Sequence, residues 1–434
     1  MKINKCYNFR LEPNHEQIQL LNQAIGCARF VYNNVLATSF EMFHLNQHIK
    51  YETIEKHLKP LKDQSEFKFL SETFSACLQQ KVKDLAKAWD KFFDPKEHAR
   101  YNKRKKKKKS KARFFKLSDG TELQLRPLMP RFKRKNDSEQ SFRIPFQGKC
   151  AVQANRVRLP KEMGWIKFKK SQEIVGKILN ITIKRISGKW YISFATVQEI
   201  ENPTHRSKSS VGVDLGIKKF ATTSDGEVFL PKNSFKTNQI KLAKLQRKLK
   251  KKIKFSENWK KANRKIAQLH HHIANIRQDY SHKVTTALSK NHAMIVVEDL
   301  EVANMSKSAS GTLENQGKNV KAKSGLNKSI LDQGWGKFVD MLEYKQLWRG
   351  GLLVKVDPKY TSQKCSCCGH VAKENRQTQS RFECIECGFI ENADINASRN
   401  ILSAGHAVLS GDGGGASAKP SVKQKASEIR EEVT

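Results

Sequence analysis

"SSVGVDLGIKKFATTSDG", residues 209–226, is an apolar, strand-like run with one carboxylate, Asp214, in its middle. Val211, Val213, Leu215 and Ile217 alternate and share one face of a strand, while Gly212, Asp214 and Gly216 share the other. A carboxylate inside an apolar strand costs stability unless it is paired or holds a metal. Glycines on either side of the acid would leave room on that face. The pattern predicts a core strand that presents Asp214 to a cleft.

What could occupy the cleft follows from charge. The 434 residues carry 82 Lys+Arg against 42 Asp+Glu, a formal net charge of +40. Self-repulsion on that scale calls for a polyanionic partner. Nucleic acid fits, because neutralising phosphates releases counterions and gives strong, salt-sensitive binding. A generally basic, solvated surface is the plainer alternative. No apolar run approaches the roughly 18–20 residues of a spanning helix, so no membrane partner is expected. "MKINKCYNFRLEP" at the start lacks the apolar core of a signal peptide. The expectation is a cytoplasmic, nucleoid-associated protein without structural disulfides.

The pattern changes along the chain. Ile3, Tyr7, Phe9 and Leu11 read as a first strand. Ile18, Leu21, Ile25, Ala28, Tyr32 and Val35 recur at helical spacing, and helical pattern continues to about residue 93. Seven consecutive cations, Lys103 to Lys109, form a self-repelling run, read as a mobile loop that is either solvated or phosphate-binding. From about residue 123 to 199 the character is β. "KILNITIKRISGKWYISFATV" (177–197) reads as two strands joined at Ser187–Lys189, with Leu179, Ile181 and Ile183 alternating on one and Trp190, Ile192 and Phe194 on the next. This order predicts a small β-barrel or sheet interrupted by a helical block.

Residues 236–265 hold 13 Lys/Arg and one acid, Glu257. Leu242, Leu245, Leu249 and Ile253 form a stripe. Trp259, Ala262, Ile266, Leu269, Ile273, Ile276 and Tyr280 step 3-4-3-4-3-4, the spacing of a coiled-coil seam. A helical hairpin packed on itself is expected, its basic faces tracking a polyanion. "AMIVVEDLEVANM" (293–305) reads as a second buried strand, ending in Glu298 and Asp299. Residues 306–325 are polar and Gly/Ser-rich, read as a flexible loop. A helix over about 328–347 and a strand over about 352–356 follow. Residues 410–434 are low-complexity and are expected to be a disordered tail.

Two cysteine pairs carry a sharper signal. Cys365 and Cys368 in "CSCCGH" are spaced C-x2-C, as are Cys384 and Cys387 in "FECIECGF". A glycine follows each pair, Gly369 and Gly388, and fifteen residues separate the pairs. Four thiolates so spaced close a tetrahedral structural Zn2+ site with no open position. Cys367 competes with Cys368, but only Cys368 keeps both the spacing and the following glycine. Cys6, Cys27, Cys77 and Cys150 lack metal spacing and read as ordinary buried thiols.

Phosphodiester cleavage by two divalent metals needs carboxylates that converge from separate elements and hold ions about 4 Å apart. Mg2+ takes one or two carboxylates plus water and phosphate oxygens. Asp214 and Glu298 offer one acid from each of two strands. Asp394 in "NADINASRNIL" (392–402) is a third candidate, in the first turn of a helix that Asn392 could cap. The plainer alternatives are that Asp394 only complements a helix dipole and that Glu298 is a strand-end surface acid.

Taken in order, "GVDLGIKKFAT", "NRKIAQLHHHIANIRQDYSHKVTTAL", "IVVEDLEVANM", "YTSQKCSCCGH", "FECIECGF" and "NADINASRNIL" resemble the transposon-associated TnpB family, RNA-guided nucleases of insertion sequences related to the type V CRISPR nucleases. Upstream, "GCARFVYNNVLA" and "PRFKRKNDSEQSF" are similar to the family's N-terminal half. The resemblance implies a multidomain α/β fold. An RNase H-like (RuvC) nuclease domain would span 208–409, including the basic hairpin 236–290, with the zinc ribbon inserted at 360–391. An OB-like β-barrel wedge would be discontinuous, over 1–12 and 120–202, with a helical recognition insertion at 13–119.

The family's catalytic acids fall on Asp214, Glu298 and Asp394, which would hold two Mg2+ (or Mn2+) ions. Its ribbon cysteines fall on Cys365, Cys368, Cys384 and Cys387. The implied partners are a guide RNA from the transposon end and double-stranded target DNA carrying a short transposon-adjacent motif. Base pairing with the guide would supply most of the sequence specificity. The implied function is RNA-guided, Mg2+-dependent DNA cleavage. Its rivals are an RNA-guided DNA-binding repressor that does not cut and an RNase H-like transposase.

Overall fold

The computed structural model describes residues 1–104, 113–135, 137, 139–311 and 315–410. Most of the cationic run Lys103–Lys109, and the expected tail after Ser410, lie outside the described residues. The chain forms two compact units, Met1–Glu199 and Ile200–Thr434. Among the described residues no helix is long and apolar enough to cross a membrane.

In the first unit, β1 (Lys2–Glu12) buries Ile3, Tyr7, Phe9 and Leu11. Cys6 sits on the opposite face of this strand and is exposed, not buried as expected. α1 (His15–His44) begins with a capping box. Asn14 Oδ1 accepts from Gln17 N at 2.8 Å, and Gln17 Oε1 accepts from Asn14 N at 3.0 Å. Leu21, Ile25, Ala28, Tyr32 and Val35 are buried along its inner face. The helical pattern does not run unbroken to residue 93. It breaks after Leu45, where Asn46 takes a left-handed φ of 54°, continues in short helical pieces over Tyr51–Glu55, Leu58–Asp63 and Ser65–Glu72, and closes with the long helix α2 (Ser75–Phe93).

Six further strands join β1: β2 (Glu139–Pro145), β3 (Ala151–Gln153), β4 (Arg156–Leu159), β5 (Gly164–Lys169), β6 (Lys177–Ile186) and β7 (Lys189–Glu199). They form one seven-stranded sheet in the order β2-β6-β7-β1-β5-β4-β3. β6 and β7 turn at Ser187 and Gly188, both at positive φ (51° and 83°), which matches the strand twist. Ile181 and Ile183 are buried, but Leu179 is 44% exposed. The β6–β7 register shifts between Ile178 and Asn180, so Leu179 is the extra residue of a bulge and breaks the expected alternation. Sheet and helices share one core that runs from Tyr7 through Phe40 and Trp89 to Phe194.

The second unit holds a five-stranded sheet of β8 (Ser210–Asp214), β9 (Ala221–Thr223), β10 (Val228–Phe229), β11 (Met294–Glu298) and β12 (Leu352–Val356), ordered β10-β9-β8-β11-β12. β8, β11 and β12 are parallel; β9 pairs antiparallel with β8, and β10 pairs antiparallel with β9. The longer helices are α3 (Ser234–Lys250), α4 (Glu257–Asn291), α5 (Val320–Gln333), α6 (Trp335–Arg349) and α7 (Ala393–Ser410). The small ribbon β13 (Arg381–Glu383) and β14 (Ile390–Asn392) precedes α7. On one face of the sheet Val211, Val213, Ile295 and Val297 pack against Val284 and Leu288 of α4 and Phe338 and Leu342 of α6. On the other, Met294, Val296, Val354 and Val356 lie under Ile401 of α7. A sheet covered on both faces explains the near-continuous apolar run in β11.

Two expectations need correction here. The single helix over about 328–347 is two helices. α5 starts at Val320, inside the segment read as a flexible loop, and Gly334 at φ 74° separates it from α6. The hairpin α3–α4 does pack on itself through Leu242, Ile266, Leu269 and Ile273, with Leu245 and Leu249 against them. Ile253 and Trp259, however, lie outside that seam, and Ile253 is 83% exposed.

The base of the hairpin is fastened by a residue far away in sequence. Asp332 of α5 is buried and caps α3. Its Oδ1 accepts from Ser234 Oγ and Phe235 N, both at 3.0 Å, and its Oδ2 accepts from Phe235 N at 2.9 Å and Lys236 N at 3.2 Å. The carboxylate satisfies orphan N–H groups and faces the positive end of the helix dipole.

Gly212 has a role different from the one expected. A Cβ there would overlap the Ser398 carbonyl oxygen and come within 2.8 Å of Leu402 N, both backbone atoms of α7. A Cβ on Gly216 would meet the Lys219 carbonyl oxygen at 2.7 Å across a tight turn. The glycine-flanked face is therefore not cleared for metal or phosphate. Gly212 admits a helix, and Gly405 on that helix sits against Val296 in the same way. Gly212→Ala should cost at least the upper end of the roughly 1–3 kcal/mol typical of overpacking, because backbone must move. Thermal unfolding within a degree of wild type would refute this contact.

Candidate active site and metal centre

β8 and β11 are adjacent and parallel, with Val213 opposite Val297. The next residues, Asp214 and Glu298, therefore stand side by side at the carboxyl ends of the two strands. Asp394 is the second residue of α7, and the close approach of α7 at Gly212 brings it to the same end. Asn392 is where a cap was expected, and its Oδ1 accepts from Asp394 N at 3.1 Å.

The electrostatics register this convergence. Burial, then the charge of Glu298, then that of Asp394, push the Asp214 carboxyl up to about 7, against Arg376 and the Leu215 N–H, which lower it. Burial also raises Glu298, partly offset by the Thr361 hydroxyl, which donates to Glu298 Oε1 at 2.6 Å. Asp299, the neighbouring acid, is exposed.

Two cations that sequence reasoning missed hold Asp394. Lys219 Nζ lies 3.0 Å from Oδ2 and also donates to Asn392 Oδ1 at 3.3 Å; Arg376 Nη2 lies 3.5 Å from Oδ1. Lys219 had a local signal, since it closes the Gly216 turn five residues after Asp214. Arg376 had none, because it comes from between the two cysteine pairs. The three carboxylates do not form a ligand cluster as tight as the cysteines do. Among the described residues, Cys365, Cys368, Cys384 and Cys387 are the group of His, Cys, Asp or Glu whose ligand atoms all lie within 4.8 Å of one another.

The cysteine cluster is built from two matching turns. Gly369 N donates to Cys365 O at 3.0 Å and Gly388 N to Cys384 O at 2.9 Å, both glycines at left-handed φ (81° and 70°). Sγ atoms of Cys365 and Cys387 are 3.7 Å apart, and those of Cys368 and Cys384 3.6 Å. Tetrahedral Zn–S bonds of about 2.3 Å require S···S edges of roughly 3.8 Å, so the thiols fit a zinc ion. Cys367 is exposed and outside the cluster.

Buried amides tie this ribbon to α7. Asn396 Nδ2 donates to Lys364 O at 2.8 Å, while its Oδ1 accepts from Ser366 N at 2.9 Å; Asn400 Nδ2 donates to Lys364 O at 2.6 Å and Thr361 O at 2.9 Å. Between the knuckles, fully buried Asn375 donates to Gln363 O and His370 O and accepts from Ile385 N. Ribbon, Thr361, Asp394 and Arg376 therefore form one connected assembly around the acids.

Comparison with known proteins agrees with this architecture. A family model described as "Probable transposase" matches residues 193–309, a "Cas12f1-like, TNB domain" model matches 335–401, and a "Helix-turn-helix domain" model matches 1–48. The chain is 47% identical over 410 residues to the "Putative RNA-guided DNA endonuclease InsQ" of Escherichia coli K12, covering 94% of each chain. It is 29% identical to a "Putative RNA-guided DNA endonuclease" of Streptomyces pristinaespiralis, over 95% of this chain and 92% of the relative. Among solved structures, the Cas12f1 chain of a complex with sgRNA and target DNA shares the fold, with a TM-score of 0.50 and 14% identity over 92% of this chain and 99% of that one.

Two outcomes follow from the geometry. Cys384→Ser should lose about one equivalent of zinc and destabilise the ribbon, whereas Cys367→Ser should do neither; elemental analysis of both purified variants reads this. In metal-free protein, Asp214 keeps its proton up to about pH 7 when folded but loses it near 3.8 when unfolded. The raised value means stability is full below about pH 4 and falls, by at most about 4 kcal/mol, as pH rises through 7. Metal-free Asp214→Asn should therefore gain on wild type in thermal stability at about pH 8 and little at about pH 4. An equal gain at both would reject the assignment.

Proposed function

The chain belongs to the TnpB family of insertion-sequence proteins, and on that premise we propose that it is an RNA-guided, Mg2+-dependent DNA endonuclease that cuts beside a transposon-adjacent motif. The observation that carries this reading is the convergence of Asp214, Glu298 and Asp394 at one end of the parallel strands. In this reading the second unit is an RNase H-like (RuvC) nuclease domain with an inserted zinc ribbon. The sheet of the first unit is an OB-like wedge bearing recognition helices. Guide RNA and double-stranded target DNA are the partners, as the names of the relatives and the charge of +40 suggest.

Asp214, Glu298 and Asp394 would hold two divalent ions, which supply an activated water and charge neutralisation at the leaving oxygen. The donor set suits that role. Asp214 and Glu298 are half-buried, desolvation raises both, and neighbouring negative charge raises Asp214 further, which a divalent cation would relieve. Thr361 fixes one oxygen of Glu298. Lys219 and Arg376 keep Asp394 neutralised and oriented. Cys365, Cys368, Cys384 and Cys387 would hold a structural zinc that keeps Arg376 and Thr361 in place. The basic faces of α3 and α4 would follow the phosphate backbone.

The description "Probable transposase" favours a second reading, strand joining by the same acids. Strand transfer of transposon ends without any RNA would establish it in place of guided cleavage. For the favoured function, Asp214→Ala should abolish cleavage of a guide-matched plasmid in Mg2+ and leave guide and target binding intact. Continued cutting by that variant would overturn the active-site assignment, and intact binding without cutting by the wild type would identify a repressor.

A further inference from the structure

Ile253, at the tip of the α3–α4 hairpin, is the most exposed large apolar side chain among the described residues. α3 ends at Lys250 and α4 starts at Glu257, so residues 251–256 form the connection. It carries Lys251, Lys252 and Lys254, all exposed, and Lys250 and Lys261 flank it, exposed as well. Between these cations Ile253 is 83% and Phe255 59% exposed. The Phe255 ring meets Trp259 with centroids 5.5 Å apart at 61°, and Lys254 Nζ stands 5.1 Å from the Phe255 centroid. Ser256 caps α4, its Oγ accepting from Trp259 N at 3.2 Å, and this holds the tryptophan at the helix start.

Two facts argue that this pair is more than a helix-start contact. A hydrophobic staple buries its apolar partners, whereas Phe255 stays mostly in solvent and no residue of the tip joins the hairpin seam. Phe255 also has φ of 70°, a left-handed conformation unfavourable for a bulky residue. Asn or Gly would relieve that strain; an aromatic there costs stability and presents a ring outward. Aromatic faces interleaved with lysines are what an unpaired base on a phosphate backbone recognises, because every base has a π-face and every linkage a negative charge.

We propose that Phe255 and Trp259 form a stacking platform for an unpaired nucleobase of single-stranded nucleic acid, with Lys251, Lys252 and Lys254 holding the adjoining phosphates. This site rests on the reading that the chain binds nucleic acid, but it is independent of cleavage. Stacking engages the base face, which RNA and DNA share, so either sugar is accepted.

The test uses full-length protein freed of co-purifying nucleic acid, with fluorescence polarisation of three labelled probes of equal length: oligouridylate, oligothymidylate and an abasic-spacer strand. Wild type should bind both base-bearing strands more tightly than the abasic one. Phe255→Asn, which suits the left-handed backbone, and Trp259→Ala should each bind base-bearing strands about ten-fold more weakly. Their abasic binding and salt dependence should match wild type, while Trp259→Phe should retain the preference. Lys251→Ala/Lys252→Ala should instead lower the salt slope for all three probes. Equal loss on base-bearing and abasic strands, or no loss, would overturn the platform. Guided cleavage without any base preference would overturn the platform alone; a base preference lost in Phe255→Asn without guided cleavage would sustain it and overturn the endonuclease reading.

Discussion

Gly212 lacks a side chain, and α7 crosses it so closely that any Cβ would collide with the Ser398 carbonyl. The arrangement of the second unit depends on that approach. Lowering α7 onto the sheet at Gly212, and onto Val296 through Gly405, sets how far its first turn projects beyond the strand ends. The first turn carries Asp394, and the strand ends carry Asp214 and Glu298. Backbone cannot yield as a flexible side chain can, so packing fixes the spacing of the three acids before any ligand arrives. The apolar strand carries its carboxylate at its end: Asp214 is the last residue of β8, still paired with Thr222 of β9, and the charges of Glu298 and Asp394 reach it there.

Asp394 links that packing to the ribbon. Its helix also supplies Asn396 and Asn400, whose buried amides grip the backbone of the first knuckle. The ribbon returns Arg376 to Asp394, and Thr361, just before the first cysteine pair, binds Glu298. A buried amide left without its partner is costly, so knuckle and helix are coupled. The cysteine cluster thus bears on the acids through hydrogen bonds and one guanidinium rather than by direct contact. Among the described residues no cation pairs with Asp214, which is pushed up to about 7, while Asp394 is flanked by two. Even in a chain of net charge +40, local geometry decides which carboxylate is neutralised.

The basic hairpin is organised on the same principle of distant support. Its seam is local, but Asp332 anchors its first turn from another helix. Its outer end is left unpacked, with Ile253 and Phe255 in solvent. A long arm fastened at one end and apolar at the other is suited to reach a partner rather than to complete a core.

The sequence alone determined what periodicity and short spacing encode. Val211 and Val213 fall on one face of a strand, Leu242, Ile266, Leu269 and Ile273 fall on a helical seam, and the C-x2-C pairs close into a cluster, because each pattern is written in neighbours a few residues apart. Ordered motifs also made the family legible. Tertiary structure decided what needs a distant partner. Gly212 reads as cleared space until the helix against it is seen. Leu179 reads as core until the β6–β7 register shifts past it. Lys219, Arg376 and Asp332 act on groups up to 175 residues away, as with Lys219 and Asp394, and no local pattern records such pairings. Sequence names the acids; the close packing of one helix on the sheet, through Gly212 of the strand and Gly405 of the helix, brings them to one place.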